Sequence, residues 1–104
     1  MNTKNKNKAK LAIRKIIGPI SFGEMISALR QAMEITQVEM AEVLGISKQD
    51  LCNIEKGRKI VSVERAVSFA DALCMPQKTF AKYALQDQLN KAGIDGEVQI
   101  EKVA

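Results

Sequence analysis

Between Ser21 and Gly93 the apolar residues recur at intervals of three and four positions, in five runs set apart by hydroxyl, glycine and proline residues. That period turns one face of an α-helix inward. The first run brings Phe22, Ile26, Leu29 and Met33 together; the second holds Met40, Ala41 and Leu44 and stops at Gly45. The third holds Leu51 and Ile54 and stops at Gly57, and the fourth holds Ala66, Phe69, Ala70 and Leu73 and ends before Pro76. The fifth, from about Gln77, holds Phe80, Ala84, Leu85 and Leu89 and stops at Gly93. The starts are marked as well. Ser21 with Glu24 and Thr36 with Glu39 have the capping-box spacing, Ser47 with Asp50 is a weaker version, and Ser62 is a plain N-cap candidate.

On either side the pattern changes. Residues 1–10 are low-complexity Lys and Asn, expected to be disordered, and Leu11 to Ile17 could form a short helix or strand before Gly18-Pro19 ends it. Glu97-Val98-Gln99-Ile100-Glu101 alternates with period two, which predicts one short strand in need of a partner. The expected organisation is a basic arm over 1–20, a helical domain over 21–92 and a tail with one short strand over 93–104. With 104 residues there is room for one domain, and three Phe, one Tyr and no Trp leave a core of Leu, Ile, Val, Met and Ala. The fold class that follows is all-α.

The formal net charge of +4 is unevenly spread. Lys4, Lys6, Lys8, Lys10, Arg14 and Lys15 stand in the arm with no acid, leaving ten basic and twelve acidic side chains for the rest of the chain. Such an arm suits nucleic acid first and a membrane surface second, or it is a solvated tail that aids solubility. No apolar run is long enough to span a bilayer. Arg14, Lys15, Gly18 and Pro19 interrupt the apolar stretch after the arm, and no small-residue cleavage site follows, which argues against a signal peptide. Cys52 and Cys74 stand in a chain without His, which excludes the usual zinc patterns and points to reduced thiols of a cytoplasmic protein. With no His, no framed pair of carboxylates and no Gly-rich phosphate loop, there is no catalytic constellation, no metal site and no cofactor site to be read.

The chemistry that remains lies in the second and third runs. Two short helices joined by a tight Gly-containing turn form a helix-turn-helix, here Gln37 to Leu44, Gly45-Ile46, and Ser47 to Lys56. Ala41 is small where the helices would cross. With Ile46, Leu51 and Ile54 turned inward, Ser47, Lys48, Gln49, Cys52, Asn53 and Lys56 occupy the outer side. Lys, Gln and Asn are the side chains that read guanine and adenine edges in a major groove.

Residues 26–73 carry the pattern TQ-x-x-x-A-x-x-x-GIS-x-x-x-[apolar]-x-x-[apolar]-E-x-G-R. In this they resemble the lambda-repressor/Cro-like helix-turn-helix family, also called the xenobiotic-response-element family. The resemblance implies a bundle of about five helices that dimerises on palindromic operator DNA and usually represses transcription. It implies that Gln37 contacts a phosphate and braces the recognition helix, and that Ser47, Lys48, Gln49 and Asn53 face bases and neighbouring phosphates. Asn53 is open between the two. Lys56, the Gly57 amide, Arg58 and Lys59 match the loop that grips the backbone, and Arg30 and Glu55 match a structural salt bridge. Asp50 reads as a cap, and Cys52 as a plain small side chain ahead of a redox switch. Ile60-Val61 replace a Pro common in the family after this loop, which puts its shape in doubt.

The resemblance also implies a homodimer built after the fourth helix, from Phe80, Tyr83, Ala84, Asp87 and Gln88. The strand of Val98, Ile100 and Val103 would pair across the twofold axis or with another protein. Many compact members are autoregulating antitoxins of toxin–antitoxin modules, with a small basic toxin as partner. The alternatives are a stand-alone phage- or host-type repressor, or a co-activator-like role.

Overall fold

The structure is a computed structural model in which residues 20–101 are described. The expectations for the basic arm and for Val103 therefore lie outside the described residues. Among those described, the architecture is all-α: α1 (Phe22–Ala32), α2 (Gln37–Leu44), α3 (Lys48–Glu55), α4 (Val63–Leu73) and α5 (Gln77–Lys91). None of these helices is long and apolar enough to cross a membrane.

Local chemistry sets the boundaries. Ser21 Oγ accepts from the Glu24 amide at 3.0 Å while Glu24 Oε1 accepts from the Ser21 amide at 3.2 Å. Thr36 and Glu39 make the same reciprocal pair, at 3.1 Å in both directions. Each box satisfies helix-end donors that would otherwise lack partners. Ser62 Oγ caps α4 through the Arg65 amide at 3.1 Å. At the end of α2, Gly45 adopts φ 71° and ψ 31°, a left-handed conformation that a Cβ disfavours. The Ile46 amide then reaches back to the Ala41 carbonyl at 3.0 Å. At the matching place after α4 stands Cys74, exposed and with φ 55°, so this residue closes a helix through its backbone rather than filling the core.

The core is one cluster to which all five helices contribute. Its aromatic centre is Phe22 of α1, set edge-on to Phe80 of α5 with centroids 5.8 Å apart and near Phe69 of α4 at 6.3 Å. The rest is Met, Leu, Ile, Val and Ala, as the composition requires. Gly23 decides how closely α1 approaches α3: a Cβ there would stand 1.9 Å from the Ile54 carbonyl oxygen.

Two expectations about the C-terminal third are corrected. Phe80 and Ala84 are buried in the chain's own core, and Asp87 accepts from the Phe22 amide at 3.1 Å and 3.3 Å, capping α1 from α5. Phe80 and Ala84 therefore face inward and are unavailable for a dimer surface, while the half-buried Asp87 is engaged with α1. The strand over 97–101 is also absent among the described residues. Gln86 of α5 takes the place of a partner strand: its Nε2 donates to the Gly96 carbonyl and its Oε1 accepts from the Val98 amide, both at 2.8 Å. One carboxamide satisfies two backbone groups, enough to hold the tail against α5 but too few for a ladder. Lys82 and Glu97, 3.7 Å apart, add an exposed ion pair.

Two predictions follow from this packing. Alanine is the better helix former by ~1 kcal/mol, but overpacking against a rigid carbonyl costs ~1–3 kcal/mol. Gly23→Ala should therefore destabilise the fold, and urea denaturation showing a stabilised variant would overturn the close approach. Asp87 is the second case. Burial, with the Glu24 charge adding to it and the Phe22 amide opposing, raises its pKa above the ordinary 3.8. A raised folded-state pKa means that the stabilisation is full below 3.8 and is lost as pH rises through the raised value. Asp87→Asn keeps an acceptor for Phe22 and cannot ionise. It should gain on the wild type across that window and hold a constant difference above it, whereas parallel stability curves would refute the assignment.

Candidate nucleic-acid interface

α2 and α3 form the helix-turn-helix, and α3 is held at both ends. Its N-terminus is capped by Ser47 Oγ, which accepts from the Asp50 amide at 3.0 Å. Along its length Leu51 and Ile54 are buried. At its C-terminus Glu55 meets Arg30 of α1: Nε donates to Oε2 at 2.8 Å and Nη2 to Oε1 at 3.2 Å, a two-pronged pair in which the Glu55 side chain is 6% exposed. Gln37 Nε2 donates to the same Oε1 at 3.1 Å, and Arg30 Nη1 donates to the Ile35 carbonyl at 3.2 Å. Arg30, Glu55 and Gln37 thus join α1, α2 and α3 at one point.

With its inner side buried, α3 presents Lys48 and Gln49 exposed and Cys52 and Asn53 half-buried, beside the exposed cap Ser47. Gln49 Nε2 donates to Asn53 Oδ1 at 3.2 Å, one turn along the helix. That bond uses Gln49 Nε2 and Asn53 Oδ1, so Gln49 Oε1 and the Asn53 amide nitrogen are the remaining acceptor and donor of the pair. Lys56 and Arg58 are exposed in the loop that follows. That loop is closed by its own backbone: the Gly57 amide donates to Ile54 O at 3.1 Å, and the Arg58 and Lys59 amides donate to Asn53 O at 2.9 Å and 3.3 Å. The Gly57 amide, expected as a phosphate donor, is engaged in ending the helix.

Asp50 and Lys59 stand differently from their expected places. The Asp50 carboxylate does not return to its cap. It accepts from Lys59 Nζ at 2.7 Å and from Arg65 Nη2 of α4, and Arg65 lies over the Phe69 ring at 5.4 Å. The Lys59 hydrogen bond, with Arg65 behind it, holds the Asp50 carboxyl below its usual range against the opposing effect of burial. Arg65 is the residue that sequence spacing missed, because it reaches Asp50 across 15 positions and no local period marks such a pair.

A family model described as helix-turn-helix matches residues 26–73, from within α1 to the end of α4. It supports a lambda-repressor/Cro-like helix-turn-helix protein. No curated protein matches the chain, and no solved structure does.

The brace yields a prediction of its own. Glu55→Ala strands the largely buried Arg30 charge and should cost ~3 kcal/mol of stability. A chemical denaturation midpoint unchanged from wild type would show that the pair carries no load.

Proposed function

We propose that the protein is a sequence-specific DNA-binding transcription regulator, a repressor that acts as a homodimer on a palindromic operator in the cytoplasm. The observation that carries this reading is the solvent-facing row of Ser47, Lys48, Gln49 and Asn53 on a short helix fixed at both ends. A major groove admits such a helix, and Lys, Gln and Asn match guanine and adenine edges there. Lys56 and Arg58 then supply phosphate contacts, and Gln37 supplies the brace with its helix end near the backbone. One such helix touches only a few base pairs, so two copies are needed for useful specificity. The dimer uses outward residues near the end of α5, such as Gln88, because Phe80, Ala84 and Asp87 are spent inside the monomer. The role is one of binding, with no reaction assigned.

Within this reading we place the chain as an autoregulating antitoxin whose segments outside residues 26–73 engage a small basic toxin. One observation favours the second reading, a stand-alone phage- or host-type repressor: Gln86 already occupies the tail backbone at Gly96 and Val98. Co-purification of the chain with the product of a neighbouring reading frame separates the two.

The test of the shared reading is selection from a random duplex pool, followed by titration of the selected site. Gln49→Ala and Lys48→Ala should each relax preference by ~1–3 kcal/mol at one base position. A wild-type protein that selects no sequence would overturn the proposal, and a Gln49→Ala variant with unchanged preference would remove that reader.

A further inference from the structure

Of the three cations in the loop after α3, one is not like the others. Among the described residues, Lys56 and Arg58 have no carboxylate within ion-pair distance, and neither does Lys48 on the helix. Lys59 is held by Asp50 at 2.7 Å. The Asp50 side chain is only 16% exposed and has Arg65 as its second partner, while Lys59 remains 47% exposed. Arg65 is itself fixed, stacked over Phe69. Three elements are therefore tied together at one carboxylate: α3 through Asp50, the loop through Lys59, and α4 through Arg65.

We propose that Asp50 is a specificity-determining residue that acts through Lys59, withholding one cation from the phosphate backbone so that sequence-independent attraction stays low beside readout by α3. This rests on the DNA-binding reading above. The physical reason is an exchange that runs uphill. For Lys59 to bind a phosphate it must either leave Asp50, so that a half-buried carboxylate faces a polyanion with Arg65 as its one remaining cation, or bridge the two with its three donors, which brings that carboxylate up against the phosphate. Both are unfavourable. Phosphate contacts raise affinity for every duplex alike, whereas base contacts raise it for one. An acid that restrains one lysine lowers the first contribution and leaves the second intact. Asp50 is thus a positioning residue, with no contact to DNA of its own.

The experiment is a salt titration of binding to the selected operator and to a random duplex, using the full chain. Each phosphate contact contributes about 0.9 to the slope of log affinity against log salt. Asp50→Asn should free Lys59 and steepen the slope by about 0.9, so that the affinity lost between about 50 and 200 mM salt grows about 3.5-fold. It should bind random duplex more tightly and narrow the ratio of operator to random affinity. Asp50→Asn/Lys59→Ala should return the slope to the wild-type value. Arg58→Ala should flatten the wild-type slope by about 0.9, and Lys59→Ala should not. A merely structural Asp50 would weaken binding to both duplexes, which would overturn the proposal. So would a Lys59→Ala slope as flat as that of Arg58→Ala. A wild type that binds no duplex would remove the function and this inference together, whereas a binding wild type with a flat Lys59→Ala slope removes the inference alone.

Discussion

The ion pair of Arg30 with Glu55 makes the position of α3 a property of the whole domain. Eight residues make about two turns, too short a helix to persist in water by itself. Glu55 also stands at the C-terminal end of the helix, where the backbone dipole is negative and another negative charge is unfavourable. Burial adds a desolvation cost. Arg30 offsets both, and its planar fork fixes the carboxylate at two points. The same guanidinium holds the Ile35 carbonyl, and the same carboxylate holds Gln37. The angle between α2 and α3 is therefore tied to α1 through one part-buried cluster of polar and charged groups. Gly23 completes the contact by letting the start of α1 come against the end of α3 with no side chain between them.

Much of this was legible in the residues, and for a definite reason. Helix starts and stops depend on partners within four positions, so Ser21 with Glu24, Thr36 with Glu39 and the left-handed Gly45 announce themselves locally. The inward faces follow from period alone: each helical position expected in the core is buried apart from Leu85 and Leu89, which are half-buried. Arg30 with Glu55 came from the family pattern, since nothing in the spacing marks a pair 25 positions apart. Interactions that depend on tertiary proximity without such a pattern were missed. Asp87 caps a helix 65 positions away, Arg65 reaches Asp50, and Gln86 captures the tail. The tail is the instructive failure. Alternation over 97–101 describes a segment that favours extension, but a strand needs a row of backbone partners, and here one α5 side chain, Gln86, serves the tail backbone.

The same distinction bears on the dimer surface. Phe80 and Ala84 are apolar residues in a helix after the matched span, and in sequence they fit an interface as well as a core. Periodicity reports that a face is covered but not by what. The aromatic centre answers the question here, because Phe80 stands edge-on to Phe22 and is fully enclosed within one chain. Apolar surface already used to fold the monomer is not available a second time for association.

Electrostatics close the physical picture. Outside the basic arm, acids outnumber basic residues, so no overall positive charge draws the helical domain to a polyanion. Attraction has to be local, and it is created by pairing off acids as much as by displaying cations. Glu55 is neutralised by Arg30, and Asp50 by Lys59 and Arg65; these are the two acids of α3. Among the described residues, what α3 and the loop after it then show to solvent without a counter-ion is Lys48, Lys56 and Arg58. The charge that matters at a groove is the charge left over after the fold has used what it needs. In this protein the fold uses Glu55 to fix the geometry of α3, and a lysine and an arginine to offset Asp50.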